Sequence, residues 1–122
     1  NLGTLELEIN YENDNFLNYF GLSTLQHRYL IRDYDKVVLE KPQWMWMRIA
    51  MGLSLNETNK EEFAIKVYHK LAALKYLHST PTLFNSGTNH PQLISCFIGV
   101  VDDSLDSIMD KAKEMAFYAK HA

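Results

Sequence analysis

The sequence is short of the residues that staple, break or anchor a chain. It has one cysteine, Cys96, in 122 residues. A single thiol excludes an internal disulfide and fits a reducing, cytoplasmic setting. Three prolines and five glycines leave no low-complexity segment, and no internal repeat is visible. Basic residues do not outnumber acidic ones: 12 against 15 give a net charge of −3. With no basic stripe, a nucleic-acid-binding module is disfavoured. No apolar run approaches the roughly 20 residues that a membrane helix needs. The start, NLGTLELEINYENDN, is acidic and has no basic region followed by an apolar core, so it does not read as a signal peptide. It opens on Asn1 rather than Met, which reads as a segment of something longer.

An apolar fraction of 47% is enough for one small core. Leu5, Leu7 and Ile9 alternate with Glu6, Glu8 and Asn10, the period of a short edge strand. Phe16, Leu17, Tyr19 and Phe20 suggest a short helix ending near Gly21, with Ser23 capping a further turn to His27. Tyr29-Leu30-Ile31 and Val37-Val38-Leu39 flank Asp33-Tyr34-Asp35 as a hairpin. PQWMWMRIAMG, from Pro42 to Gly52, is apolar around most of a helix. Its Trp and Met residues read as core rather than as a ligand box. Thr58-Asn59-Lys60-Glu61 has the form of a capping box. It predicts a helix to about Leu77 with Phe63, Val67, Leu71 and Leu74 inward and Glu61, Glu62, Lys66, Lys70 and Lys75 outward. His69 and His78 have no second ligand at a metal spacing and read as surface or cap residues, so no metal site is expected.

The stretch from Ser79 to Lys120 organises the rest. Pro81 is expected to stop the preceding helix and hold Thr80 extended. Asn85-Ser86-Gly87-Thr88-Asn89 has the composition of a turn, with Gly87 free to take positive φ. ISCFIGVV, Ile94 to Val101, reads as a strand buried on both faces. Asp103-Ser104-Leu105-Asp106 resembles a capping box with Asp106 in the Glu position. The helix after it lines up Leu105, Ile108, Met109, Ala112, Ala116 and Ala119 on one stripe. Taken by composition alone, Cys96 is a small buried hydrophobe, Ser95 a strand serine and Asp103 a helix cap.

TPTLFNSGT, PQLISC and DDSLDSI occur in this order and spacing, and in this they resemble the large (α) subunit of class I ribonucleotide reductase. The resemblance is strongest from Thr80 to Ala122 and compatible from Asn15 to Leu77. It implies a mainly α segment: a helical subdomain with a small hairpin over residues 1–78, then over 79–122 the start of a ten-stranded α/β barrel. Residues absent from this chain would complete that barrel. It implies reduction of ribonucleoside diphosphates to deoxyribonucleotides for DNA synthesis. Cys96 would be one of two redox-active thiols, its partner cysteine lying outside the chain. Thr80 or Thr82, with Ser95, would bind substrate. Asp103 would contact a dNTP or ATP effector.

The implied partners are the remainder of the large subunit, thioredoxin or glutaredoxin, and a small (β) subunit that generates a radical with its metal. A second copy would pair through the helix over 103–120. No cofactor is assigned to the chain itself. The thiyl-radical cysteine, its Asn and Glu helpers, the relay tyrosines and the C-terminal cysteines have no counterpart here, so the segment is not expected to turn over alone. Two other readings stay open: a noncatalytic interaction module from a split reductase gene, and a stand-alone effector-binding or structural domain.

Overall fold

The computed structural model describes residues 2–121. Asn1, on which the reading as a segment rests, and Ala122 lie outside them. The described elements are helical: α1 (Leu2–Leu7), a 3-10 turn (Tyr11–Phe16), α2 (Tyr19–Thr24) running into a π turn (Leu25–Tyr29), α3 (Pro42–Ser54), α4 (Lys60–Ala72), α5 (Thr80–Asn85) and α6 (Leu105–His121). No element among the described residues is long and apolar enough to cross a membrane as a helix.

The core is the α3–α4 pair. Pro42 opens α3 after the extended Lys41, a position where its missing N–H costs nothing. Met45, Trp46, Met47, Ile49 and Ala50 are buried, whereas Trp44 is not. From α4 come Ala64, Val67, Tyr68, Leu71 and Ala72, spaced three and four apart as one helix face requires. The expected face thus keeps Val67 and Leu71 but turns Phe63 partly outward. Small alanines let the two helices approach instead.

Both ends of α4 differ from the expectation. Asn59, not Thr58, is the residue that precedes it, and its side chain makes no cap bond. The helix stops at Ala72 rather than Leu77. Leu74 takes φ +51°, its N–H bonds to Leu71 O at 2.9 Å, and Lys75 N–H bonds to Lys70 O at 3.0 Å. This is a Schellman closure built without glycine.

The N-terminal stretch is helical, not an edge strand. Leu5 is buried and α1 packs on α4, so helix formation inside α1 satisfies backbone groups that a lone strand would leave open. Asn10 caps the 3-10 turn, accepting from Glu12 N–H at 2.9 Å. Asn18 caps α2, accepting from Gly21 N–H at 2.7 Å. Gly21 therefore lies in a first turn rather than at an end, and Ser23 lies within α2. A polar chain pins this region to the core. Tyr68 Oη donates to Gln43 Oε1 at 3.0 Å and accepts from Asn10 N–H at 2.9 Å, while Gln43 Nε2 donates to Asp14 Oδ1 at 2.7 Å. Burial raises the Tyr68 phenol's pKa above its usual range. The hairpin is reduced to a single Arg32–Val38 bridge, closed by Leu39 N–H to Ile31 O at 2.8 Å.

Beyond residue 78 the chain departs further. Ser79 is extended, but Thr80 and Pro81 form the first turn of α5. Pro81 starts a helix here rather than prolonging an extended run. The turn after α5 is as expected, with Gly87 at φ +74°. Ile94–Val101 has no ladder partner among the described residues, and Ile94, Ile98 and Val100 are exposed rather than buried on both faces. An apolar strand needs neighbours for its backbone groups, and none lies beside it among the described residues. Helix α6 is capped by Ser104, whose Oγ accepts from Ser107 N–H at 3.2 Å. The cap thus falls one residue after Asp103. No residue of α6 is buried. Tyr118 stacks on Phe97 with centroids 4.4 Å apart, and Glu114 accepts from both Lys111 and Tyr118. The polar face of α6 therefore meets the 94–101 segment.

Candidate functional site: an anchored turn and an exposed thiol

Helix α5 and its following turn are held by a buried ion pair. Arg48 Nε donates to Glu40 Oε1 at 2.7 Å and Nη2 to Oε2 at 3.1 Å. Both side chains are only about 8–9% exposed. Nη1 donates to Ser86 O at 2.6 Å, and both terminal nitrogens reach Leu83 O at 3.4–3.5 Å. Ser86 Oγ returns a bond to Ile49 O at 2.9 Å. Here α3 and the turn touch backbone to backbone: a Cβ on Gly52 would overlap Gly87 N and Ser86 Oγ, and one on Gly87 would overlap Arg48 O. Two glycines are needed for this approach, and Gly87 also for its positive φ.

The anchor separates the two threonines. Thr82 is buried, with 8% of its surface exposed. Thr80 is exposed, and its Oγ1 lies 3.3 Å from Tyr29 Oη. Tyr29 also stacks on Phe84, with centroids 4.8 Å apart and planes 14° from parallel. One tyrosine thus spans the turn of α5 between Thr80 and Phe84.

Ser95 and Cys96 are both exposed on the irregular segment after the turn. The Cys96 thiol has Ser95 Oγ at 3.9 Å as a weak partner. Asn85 Nδ2 donates to Gln92 O at 2.6 Å, which ties the start of this segment to the end of α5. Asp103 is exposed, just before the α6 cap. The composition-based expectation of Cys96 as a buried hydrophobe therefore fails: its side chain is exposed. Among the described residues no three His, Cys, Asp or Glu converge as a metal set. His69 Nε2 faces Glu8 Oε2 at 3.1 Å. His78 has a buried, unpartnered Nε2, and burial lowers its pKa.

Arg48, Glu40 and Tyr29 join the site only through the fold. For Arg48 a signal existed, a lone cation in an otherwise apolar helix. Tyr29 had none, since its neighbours Thr80 and Phe84 are distant in sequence.

The fold is thus an all-α module presenting a pinned, hydroxyl-bearing turn and an exposed thiol. Residues 15–91 match the family described as ribonucleotide reductase, all-alpha domain. Over 119 residues the chain is 39% identical to the ribonucleoside-diphosphate reductase large subunit of Plasmodium falciparum (isolate Dd2), covering 97% of this chain and 14% of that protein. It is 40% identical over 117 residues to subunit alpha of the Helicobacter pylori (strain 26695) enzyme, covering 96% and 15%. With large chain 2 of the Saccharomyces cerevisiae enzyme the identity is 41% over 123 residues, covering 100% and 14%. The chain belongs to the ribonucleotide reductase family, in its all-alpha domain. It spans only about 14–15% of the length of these relatives.

Proposed function

We propose that this chain is a part of the large subunit of a ribonucleoside-diphosphate reductase and lends its residues to the substrate pocket. The observation that carries the reading is the exposure of Thr80 on α5 and of Ser95 and Cys96 on the segment that follows it. Supporting it is the family match, which runs through α5, and relatives similar along the whole chain.

In this reading Cys96 and a cysteine outside the chain supply two electrons and two protons. The ribose 2′-hydroxyl leaves as water, hydrogen takes its place, and the two thiols become a disulfide. Thioredoxin or glutaredoxin then resets the pair by thiol–disulfide exchange. Exposure of Cys96 suits both steps. Thr80 and Ser95 offer hydroxyl donors to substrate, and Thr80 is preferred over the packed Thr82. Asp103 contacts the effector. A division at residues 78–79 separates the helical subdomain from the barrel, in which Ile94–Val101 becomes a strand once neighbours pair with it. The unburied stripe Leu105, Ile108, Met109 and Ala112 on α6 faces a second copy. The metal-bearing small subunit is a further partner, and the compartment is the reducing cytoplasm.

The test is Cys96→Ser in the full-length large subunit with its small subunit and redoxin. Loss of repeated turnover is expected. Continued formation of deoxynucleotide over many turnovers would remove Cys96 from the mechanism.

A further inference from the structure

We propose that Tyr29 is a positioning residue for the substrate's diphosphate, acting through the hydroxyl of Thr80. The inference rests on the reading of Thr80 as a substrate contact and adds to it a residue from a different element. Tyr29 lies 51 positions before Thr80 in sequence, yet its Oη sits 3.3 Å from Thr80 Oγ1. Either oxygen can donate in that pair. An anion beside Thr80 decides the direction. A phosphate oxygen accepts only, so Thr80 turns its single O–H to the phosphate. Its Oγ1 lone pairs are then free to accept from Tyr29 Oη. A hydroxyl that accepts one hydrogen bond donates a stronger one. Tyr29 therefore holds the Thr80 rotor in its donating orientation and strengthens the bond it makes.

The phenol is fixed for this task at both ends of its ring's reach. Its face stacks on Phe84 at 4.8 Å, four residues after Thr80 and so on the same side of α5. Its backbone closes the π turn, where the following residue, Leu30, is buried and bonds through its N–H to Leu25 O at 3.0 Å. The ring is thus held independently of its hydroxyl. Tyr29→Phe keeps the stack and the turn and deletes only the Oη, so it isolates the proposed role.

The experiment uses the full-length large subunit with its small subunit and measures KM and kcat for a nucleoside diphosphate. Tyr29→Phe is expected to raise KM about three- to tenfold, as the loss of one neutral hydrogen bond allows, with kcat within about twofold and the melting temperature unchanged. Thr80→Ser, which keeps the hydroxyl, should behave as the parent. In a Thr80→Val background, Tyr29→Phe should have no further effect, because the two hydroxyls act in series. A raised KM in Thr80→Val together with an unmoved KM in Tyr29→Phe would overturn the role of Tyr29 and leave Thr80 in place. Equal, additive effects of the two substitutions would also overturn it. An unmoved KM in Thr80→Val would instead overturn the substrate reading itself, and this proposal with it.

Discussion

Removing the guanidinium of Arg48 is the most demanding perturbation of the account. In Arg48→Met the apolar stem is retained, but Glu40 keeps a buried carboxylate whose remaining partner is Ile31 N–H at 3.2 Å. Ser86 O loses a 2.6 Å bond. Breaking one side of a buried pair costs about 3–5 kcal/mol, because the surviving charge is left uncompensated. Both side chains are over 90% buried, so solvent screening offers little relief. A domain stability of roughly 5–15 kcal/mol would fall by a large fraction, and the melting temperature by about 10–20 °C. Urea unfolding followed by circular dichroism reads the change directly. The sharper check is the double variant Arg48→Met, Glu40→Gln. The glutamine can still accept from Ile31 N–H but carries no charge, so the second substitution should restore about 1–3 kcal/mol. If Arg48→Met costs less than about 1 kcal/mol, or if Glu40→Gln deepens the loss, the anchor is not the buried charge pair described.

Two further outcomes follow from the same packing. Gly52→Ala puts a methyl where Gly87 and Ser86 already stand, and overpacking of this kind costs about 1–3 kcal/mol, which denaturant unfolding should show. His78 has a pKa below its ordinary value because of burial. The unfolded chain therefore takes up a proton at a higher pH than the folded one. Stability should be level above the ordinary histidine pKa and decline as pH falls below it toward the folded value. His78→Gln should flatten the fall of melting temperature as pH drops below about 6.5, and an unchanged slope would place the titration elsewhere.

What the sequence made legible follows from how far each signal reaches. Helix α3 was plain because Trp46, Met47 and Ile49 cluster behind a first-turn proline. The end of α4 was not: its closure puts Leu74 in a left-handed conformation, where a glycine or asparagine would have announced the stop. Thr80-Pro81 read as extended by local sterics, yet packing of Leu83 and the Arg48 bonds to Leu83 O and Ser86 O draw the segment into a turn of helix. Local preference yields there to a tertiary contact. Ile94–Val101 has a strand's composition, but composition cannot provide the neighbouring strand. Ser95-Cys96, by contrast, stands out as the end of the family-like block PQLISC, and only the structure shows the thiol exposed. Tyr29 beside Thr80 is a long-range pairing that no local pattern encodes.

The central claim is that Cys96 is a reductant thiol of the large subunit, and the direct measurement is its redox state after one turnover. The fully reduced full-length enzyme, its C-terminal cysteines changed to serine so that they cannot re-reduce the pair, is given a nucleoside diphosphate with its small subunit and no redoxin, then quenched with an alkylating agent and digested. The account predicts that the Cys96 peptide escapes alkylation in proportion to deoxynucleotide formed and becomes alkylatable after chemical reduction. A Cys96 thiol that remains fully alkylated while product accumulates would contradict it.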